Sequence, residues 1–196
     1  MTILDRILLL ITGLLAAYLI IAGIDGFSTV PIIAFTIAFG ILLVAGLLLI
    51  ILGFSVLESP IVVILSTIIP LSLSLGLVWE YFPAWKIGYL VFALVGLTAV
   101  IITRTSTKGK GAVITLATVH GVAGVLITFV PFILSINGTT SGRFAFVGVG
   151  GALIGIGGLL LAFLKTGKPI LSKERILSIL PALLLLMTLA YVIGFG

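Results

Sequence analysis

Residues 30–54 read VPIIAFTIAFGILLVAGLLLIILGF, 25 residues without one charge or one amide side chain. A bilayer core is about 30 Å thick and takes about 20 apolar residues as a helix, so this run is long enough to cross it. No soluble core asks for so long a stretch with no polar face. Across the 196 residues, 62% are hydrophobic and only 8% charged, against about 25% charged in ordinary soluble domains. The chain therefore reads as an all-α polytopic integral membrane protein, with residues 1–196 forming a single transmembrane domain.

Similar runs bounded by turn or charge signals fall at 7–24, 60–82, 85–104, 111–136, 143–164 and 175–195, giving seven transmembrane helices in all. Local chemistry marks their ends. Thr2 with Asp5 has the spacing of a capping box, Ser59 with Pro60 that of an N-cap followed by an N1 proline, and Asn137 with Gly138 that of a turn. Asp25 with Gly26 gives the same turn signal. Pro83 and Ala84 alone separate the third span from the fourth, which predicts a tight helical hairpin.

Seven spans place Arg6, Arg104, Lys108, Lys110, Lys165, Lys168, Lys173 and Arg175 on one side, and only Lys86 and Arg143 on the other. Basic residues collect on the cytoplasmic side, so the N-terminus is expected there and the C-terminus opposite. A prokaryotic plasma membrane or thylakoid suits that pattern. The net charge of +5 is then a topological signal, and no nucleic acid is expected as a partner. Trp79, Tyr81, Phe82, Trp85 and Tyr89 predict an aromatic layer at the other interface. Glu80 is expected to pair with Lys86 there.

A shift of about 112 residues sets IDG at 24–26 on ING at 136–138, GLLL at 46–49 on GLLL at 158–161, and ILS at 64–66 on ILS at 176–178. This suggests two parallel three-helix repeats, 1–82 and 113–196, joined by a linker helix at 85–104. Pro70 and Pro181 fall in corresponding spans, and Pro131 lies inside the fifth. Each frees a carbonyl that a nearby hydroxyl can satisfy.

His120, the only histidine, sits in ATVHGVAG at 117–124, close to mid-membrane depth. One reading bonds it across helices as packing glue. Another makes it the axial ligand of a haem or chlorophyll-type tetrapyrrole, with Gly121, Ala123 and Gly124 leaving room for a flat ring. A third makes it part of a proton relay. Gly148, Gly151, Gly155, Gly158 and Ala162, spaced 3, 4, 3 and 4, fall on one helical stripe suited to close helix packing.

Several function classes lose ground here. The acidic residues Asp5, Asp25, Glu58, Glu80 and Glu174 all lie at span ends, which weighs against proton or sodium coupling. Without cysteine or a second histidine, thiolate metal sites and cysteine nucleophiles are excluded, and intramembrane hydrolysis lacks an orienting carboxylate. A retinal protein needs a lysine in its last span, and 175–195 has none. The expectation is a non-catalytic accessory or assembly subunit of a larger membrane complex, in contact with the lipid bilayer and with other membrane subunits. The alternative is a small-solute transporter of two three-helix bundles around a polar midplane site formed by Ser66, Thr67, Ser72, His120 and Ser178.

Overall fold

The computed structural model describes the backbone of residues 1–24, 26–106, 110–165 and 171–196, and the side chains of these except 106, 110, 159 and 161–165. The described residues form seven long helices and no strands: α1 (Ile3–Ala22), α2 (Thr29–Leu52), α3 (Pro60–Tyr81), α4 (Lys86–Ser106), α5 (Lys110–Ile136), α6 (Ala145–Lys165) and α7 (Lys173–Phe195). All but α6 are long and apolar enough to cross a membrane, and the described part of α6 is apolar over Gly142–Gly158. The chain is an all-α polytopic membrane protein.

Helix ends follow the local chemistry. Thr2 Oγ1 accepts from the Asp5 backbone N–H at 3.1 Å, and the Asp5 carboxylate accepts from the Thr2 N–H at 2.6 Å, closing the capping box. That cap starts α1 at Ile3, four residues before the apolar run. Ser172 caps α7 in a simpler way, its hydroxyl accepting from the Arg175 N–H, so α7 begins at Lys173. At the other end of α5, Gly138 takes a φ of 71°, which a side chain would resist. There the Thr139 N–H reaches the Leu134 carbonyl at 2.9 Å and the Gly138 N–H reaches Ser135 at 3.2 Å, a Schellman stop. Asp25 lies outside the described residues.

Short connections keep sequential helices adjacent. Between α3 and α4 only Phe82 and a 3-10 turn at Pro83–Trp85 intervene, as a tight hairpin requires. A second 3-10 turn, Phe54–Glu58, carries the chain from α2 to α3. The neighbour relations form a closed ring in the order α1, α2, α3, α5, α6, α7, with α7 returning to α1. Helix α4 stands outside this ring and packs on α3 and α5.

Side chains from every ring helix meet in one core: Ala16 and Leu19 of α1, Phe35, Phe39 and Leu42 of α2, Leu73 and Leu77 of α3, Ile127 of α5, Val147 of α6, and Met187 and Tyr191 of α7. Aromatic rings close one end of it. Phe27 lies 6.3 Å from Tyr81, 6.1 Å from Phe144 and 6.0 Å from Phe195, centroid to centroid. Phe27 follows α1, Tyr81 ends α3, Phe144 precedes α6 and Phe195 ends α7, so the last helix finishes where the first one also ends. At the opposite end Lys173 Nζ pairs with Glu58 Oε1 at 3.0 Å, joining the start of α7 to the approach to α3. The start of α1 and the end of α7 therefore lie at opposite ends of the bundle.

Helix α4 is held by a separate cluster, in which Ala93 and Val100 meet Leu71 of α3 and Val119 and Ala123 of α5. The rest of its surface, including Ile87, Val91, Leu94, Val95 and Ile102, is exposed. In lipid such exposure is the natural state of an apolar side chain.

Candidate functional site

Polar groups inside a bilayer must find partners within the protein, and most of these helices satisfy them locally. Thr12, Thr67, Ser74 and Thr188 have no exposed surface, yet each donates to a carbonyl four residues earlier: Leu8 at 2.9 Å, Val63 at 2.8 Å, Pro70 at 2.6 Å and Leu184 at 2.8 Å. Ser66 donates to Val63 at 2.9 Å, and Ser178 to Arg175 at 2.9 Å. Ser72 is buried in the middle of α3. Of the residues considered for a midplane site, Ser66, Thr67 and Ser72 thus share α3, His120 is on α5 and Ser178 is an exposed group near the start of α7. Helices α3 and α7 are not neighbours in the ring.

His120 is half-buried on the flank of α5 that carries Val119 and Ala123. Its Nδ1 lies 3.1 Å from the Leu116 carbonyl, and a carbonyl only accepts, so Nδ1 donates there; in the neutral ring Nε2 then keeps a lone pair. A Cβ added to Gly121 or Gly124 would meet nothing within 4 Å, so the small residues beside the imidazole do border open space. A tetrapyrrole ligand would use Nε2. Among the described residues no group of three or more His, Cys, Asp or Glu side chains gathers anywhere in the fold.

The glycines of α6 divide between two neighbours. A Cβ on Gly148 would lie 2.5 Å from the Thr128 carbonyl oxygen, and one on Gly151 would lie 2.9 Å from the Ile127 carbonyl carbon, both on α5. Gly155 and Gly158, next on the stripe, meet nothing within 4 Å, and the Ala162 side chain lies outside the described residues. Gly150 and Gly157 instead face α7, where Tyr191 and Leu183 would crowd any side chain. Gly194 of α7 returns the approach against Val147 and Phe146 of α6. Spacing at 3 and 4 picks out one stripe, so it missed the second; the interval of seven between Gly150 and Gly157 was the available signal.

The aromatic end also differs from a simple interfacial layer. Trp85 and Phe82 are exposed, but Tyr81 turns into the core cluster. Tyr89 is buried and donates to Ser74 Oγ at 2.7 Å, tying α4 to α3. Glu80 does not pair with Lys86. Its Oε2 accepts from both the backbone N–H and the hydroxyl of Ser28, at 3.1 and 2.8 Å, where its negative charge meets the positive end of the α2 dipole. Lys86 Nζ lies 5.7 Å from the centroid of the Trp79 ring.

Two depressions on the surface are lined mainly by apolar side chains. One lies between α1 and α2, bordered by Leu10, Gly13, Leu14, Leu43 and Leu47. The other follows Leu94, Thr98 and Ile102 along the outer side of α4. Neither reaches the ring interior. No protein-family model, curated protein or solved structure matches the chain.

Proposed function

We propose that this protein is a non-catalytic accessory or assembly subunit of a larger membrane complex. The observation that carries the reading is the ring interior. Phe35, Phe39, Leu73, Leu77, Ile127, Met187 and Tyr191 fill it, and the hydroxyls nearby are turned to their own helix carbonyls. A transport route needs a polar, hydrated site near the midplane between moving bundles. A packed aromatic and aliphatic centre favours a scaffold.

The partner-binding surface in this reading is the part of α5 and α6 around Gly121, Gly124, Gly155 and Gly158. Open space beside these glycines lets a helix of another subunit approach backbone to backbone, which is how helices associate without a hydrophobic drive. His120 borders that surface and would contact a partner or a pigment held between subunits. In the membrane, the end carrying Arg6, Lys173 and Arg175 would face the cytoplasm.

The internal repeat belongs to the same proposal. Shifted by about 112 residues, α3 falls on α7 and α2 on α6. Each neighbour relation within the ring has its counterpart under that exchange: α1 with α2 and α5 with α6, α2 with α3 and α6 with α7, α3 with α5 and α7 with α1. A duplicated three-helix unit closed into a ring, with α4 as the external linker, accounts for that pattern.

Solubilisation of native membranes in a mild detergent, followed by affinity purification, tests the function. Stoichiometric membrane partners that are lost with Gly155→Leu or Gly124→Leu are expected. A chain that purifies alone and carries solute across reconstituted vesicles would support the two-bundle transporter instead. Visible absorption of the purified complex tests the pigment: a Soret band abolished by His120→Ala is the signature of an axial ligand.

A further inference from the structure

Arg104 sits in the last turn of α4, and its position continues the stripe Ala93, Leu97, Val100 at intervals of 4, 3 and 4. That stripe is the face of α4 packed on α5 and α3, against Val119, Ala123 and Leu116. The guanidinium is therefore directed along the protein side of the helix rather than into the lipid. Its Nε is fully buried and has no hydrogen-bond partner. A guanidinium with one donor buried and unpaired is costly unless an anion meets its remaining nitrogens.

Among the described residues no carboxylate meets it. Asp5 is engaged by the Thr2 cap, Glu58 pairs with Lys173, and Glu80 lies at the opposite end of the bundle against Ser28. Glu174 lies in the first turn of α7, which is not a neighbour of α4. His120 of α5 is close enough to feel the charge of Arg104, but a neutral imidazole brings no counter-charge.

We propose that Arg104 binds the phosphate of an anionic phospholipid, lodged where α4 leaves the membrane beside α5. Lipid is the source this position favours. Helix α4 stands outside the ring with an exposed apolar face, and Arg104 falls at the end of its apolar span Pro83–Thr105, which would put it at headgroup depth, where leaflet phosphates are concentrated. A planar guanidinium can take two phosphate oxygens at once, which an ammonium cannot.

The test uses the full chain in detergent, with unfolding followed through the fluorescence of Trp79 and Trp85. Phosphatidylglycerol should raise the unfolding midpoint of the wild type by roughly 2–4 °C more than phosphatidylcholine does. Arg104→Gln should erase that difference, Arg104→Lys should keep about half of it, and inorganic phosphate at equal concentration should not reproduce it. Native mass spectrometry of the wild type should retain one phosphatidylglycerol, a readout independent of any variant's folding. Equal midpoints in the two lipids, an undiminished preference in Arg104→Gln, a shift produced by inorganic phosphate, or no retained lipid would each overturn the assignment.

Discussion

The carbonyl of Ile127 lies against Gly151, and Pro131 is the reason it is free to do so. Proline has no N–H to give to the carbonyl four residues before it, so the Ile127 oxygen projects from α5. Glycine at 151 lets α6 come close enough for Cα–H to approach that oxygen, and Gly148 does the same at Thr128. Gly151→Ala should therefore destabilise the protein by about 1–3 kcal/mol, the usual cost of overpacking. Gly155→Ala, on the same stripe, should be neutral or slightly stabilising, since a methyl there meets open space. Thermal unfolding of both variants in one detergent checks the contrast; equal effects would contradict it.

Phe35 of α2 covers Gly76 of α3 so closely that a Cβ would enter the ring. Gly76→Ala is expected to lose about 1–3 kcal/mol by forcing that ring out of the core. Phe35→Leu should lose stability alone, yet in the double variant it should recover part of the Gly76→Ala loss. A double-mutant cycle with no coupling would show that the two residues are not in contact.

Glu80 joins α3 to the start of α2 through Ser28, 52 residues away in sequence. Glu80→Gln should cost about 1 kcal/mol, from the weakened charge-assisted bonds and the lost dipole interaction. Lys86→Gln should cost less than about 0.5 kcal/mol, as expected for a cation held 5.7 Å from an aromatic face with no carboxylate partner among the described residues. The opposite order of effects would restore the pairing of Glu80 with Lys86.

The Tyr191 hydroxyl is buried in the ring without a hydrogen-bond partner. Tyr191→Phe keeps the ring contacts with Phe39 and Phe195 while removing the unpaired group. Stability should stay level or rise by about 1 kcal/mol. A loss larger than 1 kcal/mol would reveal a partner for that hydroxyl.

Membrane class and helix number were legible because a charge-free run such as 30–54 has few other physical meanings. The capping box at Thr2 and the stop at Gly138 were legible because they depend on neighbours within six residues. The ring order was not. Core-facing Phe35 and lipid-facing Ile37 are equally apolar, so no polarity contrast marks the inner side of a helix in lipid. The Ser172 cap leaves little mark in the sequence because Lys173, Glu174 and Arg175 separate it from the apolar residues of α7. The bond from Ser28 to Glu80 joins the start of α2 to the last turn of α3, 52 residues apart, and only the fold brings them together. The candidate site was legible one residue at a time: His120 could be singled out, but its bond to Leu116 needs no long-range partner and left no mark in the spacing.

Solid packing of the six-helix ring is directly measurable, because the sequence contains no cysteine. Single cysteines placed at Leu73, Leu77, Phe39 and Met187, with Thr139 as an exposed control, can be probed in sealed vesicles with a water-soluble thiol reagent applied to either side. Labelling at 139 alone is expected of a ring that admits no water. Labelling at two or more core positions would reveal a hydrated path through the ring and contradict it.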